Sequence, residues 1–230
     1  MRLPANAVYD VAPIDQTGRI LLLMLPGAKH APRHLVENGF IRALRERKLA
    51  VDVLALDAHA DLYLDGEQIE RMLHDTLNEA RAQGYSRIWV LGISLGGTGA
   101  MLCAVRRTAE IEGVFLLAPF LGTRGIIAEV SAAGGLGHWQ AGEMASRDRE
   151  RALLAQLQNS LLHNMAEFPP IYLGYGSSDH YRGASDLLAK HLPACRVAVM
   201  HGGHDWKTWM GLWCILLDKR PFSNAASSSD

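Results

Sequence analysis

The stretch Ile88-Trp89-Val90-Leu91-Gly92-Ile93-Ser94-Leu95-Gly96-Gly97 decides how the rest of the chain is read. Its first four residues form a continuous apolar run, of the kind that makes a strand covered on both faces. Residues 98–105 then carry a helix-compatible pattern. Joining a strand to a helix across Gly-x-Ser-x-Gly takes a sharp turn, and small residues two positions either side of Ser94 let the backbone make it. That turn lifts the Ser94 hydroxyl above the sheet, at a helix N-terminus, where free N–H groups favour an oxyanion. Two other readings fit the glycines: a phosphate-binding turn, and a turn that merely packs helix on strand. A dinucleotide site calls for an acidic residue about 20 residues on, at the end of the following strand. That strand ends Leu117-Ala118-Pro119-Phe120 without one, and no Gly-Lys-Ser/Thr is present either.

Outward from this turn, short apolar runs alternate with helical periodicities. The runs at 19–25, 50–56, 87–92, 113–118, 171–175 and 196–200 read as buried strands, with a weaker strand at 7–11. Val36, Phe40, Ile41 and Leu44 share a helical face, as do Ile69, Met72, Leu73, Leu77 and Ala80. Trp206, Trp209, Met210, Trp213, Leu216 and Leu217 do the same near the end; this stripe reads as core packing, with Trp206 the member that reaches the site. Strand–helix–strand repetition implies right-handed crossovers, so the expected fold is α/β, a mostly parallel sheet with helices on both faces. Residues 1–222 read as one domain and 223–230 as a disordered tail with almost nothing to bury. The segment 121–168 is longer than a single crossover helix needs. It holds Gly134-Gly135-Leu136-Gly137 and a helical side bearing Leu153, Leu154, Leu157, Leu161, Leu162 and Met165. It reads as a cap over the site, the alternative being structural padding.

A serine hydroxyl is a weak nucleophile until a base takes its proton, and the base needs a third group to orient it. Two strand ends offer both. The strand at 171–175 runs into Gly176-Ser177-Ser178-Asp179, and the strand at 196–200 into His201-Gly202-Gly203-His204. Asp179 and His204 are therefore expected on loops at the same sheet edge as Ser94. Asp205 adjoins His204 but opens a helix, where a carboxylate caps backbone N–H groups.

With Gly-Ile-Ser-Leu-Gly-Gly at 92–97, Gly-Ser-Ser-Asp at 176–179 and Gly-Gly-His-Asp-Trp at 202–206, the chain resembles the α/β-hydrolase superfamily over residues 19–218. The resemblance implies Ser94 as nucleophile, Asp179 as acid and His204 as base, in a hydrolase working without metal or cofactor and first of all a carboxylesterase. It also implies a second oxyanion donor after the strand at 19–25. There the loop reads Leu25-Pro26-Gly27-Ala28, keeping the glycine of a frequent His-Gly pair and lacking its histidine, so the N–H of Ala28 is the expected donor beside that of Leu95. The usual early antiparallel strands are expected to be partly missing. A thioesterase or acyltransferase would use the same three residues, and a catalytically silent scaffold binding a small ligand or protein would need none of them.

His201 and His204 have His-x-x-His spacing near His180, but on a loop, with no Cys pair or carboxylate cluster to complete a metal set. Asp57-Ala58-His59-Ala60-Asp61 either lines the rim of the same edge or faces solvent. Arg42, Arg45, Arg47 and Lys48 read as a solvated helix face. The 230 residues are 49% hydrophobic and 20% charged, with a formal net charge of −1 from 23 basic and 24 acidic residues. That balance gives no footprint for nucleic acid or an anionic membrane; the expected partner, a small-molecule ester, is what the resemblance implies. Cys103, Cys195 and Cys214 are odd in number and widely spaced, which reads as reduced thiols, two of them in apolar segments that bury them. The first residues lack the apolar stretch of a signal peptide, and no apolar run is long enough to span a bilayer, so a cytoplasmic location is expected.

Overall fold

The apolar runs pair into a seven-stranded sheet in a computed structural model that describes residues 4–14, 19–143, 145 and 148–222. The strands are β1 (Val8–Asp10), β2 (Ile20–Leu25), β3 (Val51–Ala55), β4 (Arg87–Ile93), β5 (Gly113–Leu117), β6 (Ile171–Gly176) and β7 (Val197–Met200). Their spatial order is β1-β3-β2-β4-β5-β6-β7; β1 pairs antiparallel with β3 and all other pairs are parallel. This is the α/β architecture expected from the alternation, with the early strand reduced to three residues. The expected tail at 223–230 lies outside the described residues.

Helices fill the crossovers. After β2 come α1 (Pro32–Glu37) and α2 (Phe40–Glu46), after β3 come α3 (Ala60–Asp65) and α4 (Glu67–Ala82), and after β4 comes α5 (Leu95–Arg106). After β5 come α6 (Arg124–Ala132) and α7 (Arg149–His163), then α8 (Arg182–Ala189) after β6 and α9 (Trp206–Asp218) after β7. α5 packs on β2, β4 and β5 and meets α4 and α7, while α9 packs on β5, β6 and β7 and meets α2. Covered on both sides, β2, β3 and β5 are buried at every position, which is why they read as unbroken apolar runs. β7 is the sheet's edge, and its Val199 is exposed.

Four sequence expectations need correction. Val36 does not share a buried face with Phe40, Ile41 and Leu44; it is exposed, because Gly39, at φ 85°, ends one helix and starts the next on a new axis. Leu162 and Met165 are also exposed. The buried stripe of α7 is Leu153, Leu154, Leu157 and Leu161; Leu162 lies about 100° round from Leu161, and Met165 lies past the helix end. Nor are the basic residues of α2 a plain solvated face. Arg45 bonds Asp10 and the Val51 carbonyl, stitching the helix to β1 and β3, and Arg47 holds Asp218 at the end of α9. Of the cysteines, all free, Cys103 alone is buried; Cys214 is half-buried and Cys195 exposed. Burial pushes the Cys103 thiol up to about 12, so it is an inert core group.

One buried carboxylate braces the β1–β3 edge. Asp52 accepts from the Ala12 N–H at 2.8 Å and the Tyr85 hydroxyl at 2.5 Å, and pairs with Arg19. Asp52→Ala leaves those donors without their acceptor, so urea unfolding of this variant should show a loss of at least about 1–3 kcal/mol. Stability unchanged within about 0.5 kcal/mol would mean the cluster is not a brace.

Candidate active site

The carboxyl ends of parallel strands are where an open α/β sheet presents a ligand crevice. Ser94 stands directly after β4, Asp179 three residues after β6 and His204 four residues after β7. Ser94 has φ 52° and ψ −118°, a conformation that side-chain-bearing residues seldom adopt. It is clamped there: its N–H donates to the Leu117 carbonyl at 3.0 Å, and its own carbonyl accepts from Gly97 and Phe120, each at 2.8 Å. A Cβ on Gly92 would fall 2.3 Å from the Gly96 carbonyl oxygen, and one on Gly96 would fall 2.1 Å from that of Leu25. No other residue type fits either position without moving backbone.

The loops bearing Asp179 and His204 are laced together. The Ser177 N–H donates to the Met200 carbonyl at 2.8 Å, and the Ser178 N–H to that of Gly202 at 3.0 Å. Asp179 is buried, with one oxygen accepting from the Tyr181 N–H at 2.8 Å and the other 2.7 Å from His204 Nδ1. His204 Nε2 lies 2.9 Å from Ser94 Oγ. The imidazole is largely buried, with Trp209 and Tyr181 edge-on to it at ring-centre distances of 5.0 and 5.1 Å. Carboxylate, imidazole and hydroxyl thus form one hydrogen-bonded line, with Nδ1–H donating to Asp179 and Nε2 left to accept from Ser94. A line of this kind makes the hydroxyl a better nucleophile.

Leu95 opens α5, so its N–H belongs to the unpaired first turn of that helix. Gly27 lies against the nucleophile: a Cβ on it would be 3.4 Å from Ser94 Cβ. Ala28 follows it in a turn closed by the His30 N–H on the Gly27 carbonyl, which brings the expected second donor to the same corner. Among the described residues no acceptor meets the N–H of Leu95 or of Ala28.

Asp205 is not part of the line. It caps α9, accepting from the Thr208 N–H at 2.9 Å, and this bond holds its carboxyl below the usual range. His180 and His201 are exposed, and among the described residues no three His, Cys, Asp or Glu side chains gather as a metal site. His59 and Asp61 face solvent, and Asp57 takes a hydrogen bond from Asn6. One expectation is corrected: Trp209, rather than Trp206, packs on His204. Trp206 lies against His30 instead, at 4.7 Å between ring centres. His30 escaped the sequence reading, as did Tyr181. Partial burial, with His34 and His204 nearby, lowers the His30 imidazole below its ordinary value. No motif marks a loop histidine as half-buried.

The comparisons with known proteins rest on shape alone. No family model matches the chain, and no curated protein does. Among solved structures it is similar to the fluorophosphonate-binding serine hydrolase F of Staphylococcus aureus, with TM-score 0.63, 14% identity, and coverage of 91% of this chain and 84% of that one. It is similar to Est1E of Butyrivibrio proteoclasticus at TM-score 0.64 and 16% identity, over 93% of both chains. The S-formylglutathione hydrolase FrmB of Staphylococcus aureus aligns at TM-score 0.58 and 15% identity, over 91% of this chain and 82% of that one. The chain has the α/β-hydrolase fold.

The two candidate acids separate by experiment. Asp205→Asn should melt close to the parent, because Asn also caps, whereas Asp205→Ala should lose about 1 kcal/mol. The folded Asp205 carboxyl titrates below its unfolded value, so its contribution is complete above about pH 4 and is lost as pH falls through the lower folded value. Thermal melts of the parent and Asp205→Asn from pH 3 to 7 should therefore diverge only at the acid end. Equal stability of Asp205→Ala and the parent at pH 7 would remove the capping role.

Proposed function

We propose that the chain is a serine-dependent hydrolase of the carboxylesterase type, acting on a small-molecule ester through an acyl-enzyme on Ser94. The observation that carries this is the unbroken line from Asp179 through His204 to Ser94, ending on a hydroxyl held at a strained turn. Similarity in shape to a serine hydrolase, to Est1E and to a ferulic acid esterase supports the same reading.

In this reading Ser94 Oγ attacks the ester carbonyl carbon as its proton passes to His204 Nε2. The negative charge that develops on the carbonyl oxygen is met by the N–H groups of Leu95 and Ala28. Asp179 keeps the imidazole in the tautomer with Nδ1 protonated and stabilises the imidazolium without taking its proton. The C–O bond to the leaving group breaks as His204 returns the proton to that oxygen. Water then enters, loses a proton to the same nitrogen and attacks the acyl carbon, releasing the acid and restoring Ser94. No step needs a metal or organic cofactor. α7 packs on α5, and its Leu153 and Gln156 border a cavity beside Leu95, which supports 121–168 as a cap.

Ser94→Ala removes one oxygen from a half-buried position and should fold normally, yet lower kcat on an aryl ester by about 10⁴–10⁶-fold. Asp179→Asn should cost up to about 10⁴-fold, because the amide favours the wrong tautomer. Steady-state kinetics beside a melting curve checks both, and an alanine variant retaining a tenth of the parent turnover would overturn the assignment.

A further inference from the structure

Two cavities flank the candidate site. One, of about 150 Å³, runs along α5 from Leu95, with Thr98, Leu102 and Arg106 on the same helix face. Ile69 of α4 and Leu153 of α7 form its side walls. The other, of about 370 Å³, is a groove between α6 and α8 that reaches Tyr181. Phe120 and Gly122 border both, so the strand-end loop after β5 is the ridge between them. That ridge is pinned to the nucleophile by the bond from the Phe120 N–H to the Ser94 carbonyl.

The position of His204 tells the two apart. The proton that His204 takes from Ser94 must be returned to the leaving-group oxygen, so the leaving group departs on the imidazole's side. Tyr181 packs edge-on against His204, and the groove it borders also carries Arg124, His180, Asp186 and Lys190. The acyl part stays bonded to Ser94 and turns away from the imidazole, toward Leu95, whose side chain opens the α5 cavity. Leu95, Leu102, Leu153 and Ile69 give that cavity apolar walls, and Arg149, Glu150 and Gln156 of α7 add a polar side to it. At its far end, past Leu102 and about 16 Å along the helix axis from Leu95, stand Arg106 and Glu70, 3.9 Å apart. An alkyl chain long enough to reach them would exchange apolar wall for charge.

On the reading of Ser94 and His204 given above, we infer that the α5 cavity holds the acyl chain and the α6–α8 groove the leaving group, so that the enzyme selects medium-length acyl chains. A cavity of about 150 Å³ takes a ring of six carbons, which corresponds to an acyl chain with about six carbons beyond the carbonyl. Acetyl groups leave the cavity unused, and dodecanoyl groups overrun it.

p-Nitrophenyl acetate, butyrate, hexanoate, octanoate and dodecanoate test this with one leaving group throughout. kcat/KM should rise by up to roughly fourfold for each methylene buried up to hexanoate or octanoate, then fall about tenfold or more at dodecanoate. Leu102→Trp fills the cavity and should cut the octanoate-to-acetate ratio by about tenfold or more. Leu153→Ala opens one wall and should raise the dodecanoate-to-octanoate ratio, which keeps the test alive if the tryptophan variant fails to fold. Ile127→Trp, in the other groove, should leave the acyl-chain ratios within about twofold and alter discrimination between ethyl and naphthyl acetates instead. If turnover depends on Ser94 but the chain-length profile is flat, or Ile127→Trp moves it while Leu102→Trp and Leu153→Ala do not, the cavity assignment fails and the hydrolase reading stands. If no ester is turned over in a Ser94-dependent way, both fall together.

Discussion

The backbone of Gly96 passes so close to the end of β2 that a single added carbon would sit 2.1 Å from the Leu25 carbonyl oxygen, and the geometry of the site follows from that contact. β2 and β4 are neighbours in the sheet, so the first turn of α5 must cross over the end of β2 as soon as β4 stops. There is room for this only with glycine at 92 and 96. The cost appears at Ser94, whose φ of 52° is maintained by hydrogen bonds to Leu117, Phe120 and Gly97. That conformation sets Ser94 at the N-terminus of α5, immediately before Leu95.

A second close approach completes the arrangement from the other side of the sheet. A Cβ on Gly176 would lie 2.3 Å from the Gly202 carbonyl oxygen, and the bonds from Ser177 and Ser178 draw the loops after β6 and β7 into one unit. Asp179 and His204 are therefore positioned by backbone rather than by each other. Asp179, buried and already bonded to the Tyr181 N–H, has one oxygen left for the imidazole. Trp209 and Tyr181 confine the ring from two sides, limiting its rotation away from Ser94. Preorganisation of this kind lowers the reorganisation needed when charge develops.

How much of this was legible in the sequence depended on whether the signal was local. The Gly-x-Ser-x-Gly turn, the strand ends bearing Asp179 and His204, and the capping place of Asp205 are all set by residues within a few positions of each other, and the expectation that the three side chains meet rested on parallel strands ending at one sheet edge together with the family resemblance. Helix phase was less secure. The Asn38-Gly39 break rotates α1 away from α2 and exposes Val36, and at α9 the same register ambiguity put Trp206 where Trp209 stands. Long-range partners were invisible: Arg45 and Arg47 look like a solvated run until Asp10 and Asp218 are brought beside them by the fold. The partial burial of His30, in the loop after β2, depends on Trp206 and Trp209, far along the chain, and nothing near His30 announces it.

On the proposed function, the hydrogen-bonded line from Asp179 through His204 activates the Ser94 hydroxyl in the free protein. The most direct test of this is the intact mass of the chain after brief exposure to an alkyl fluorophosphonate, followed by peptide mapping. One phosphonyl adduct per chain is expected, on the peptide containing Ser94, forming far more slowly in His204→Ala. No adduct, or an adduct on another residue with Ser94 unmodified, would contradict it.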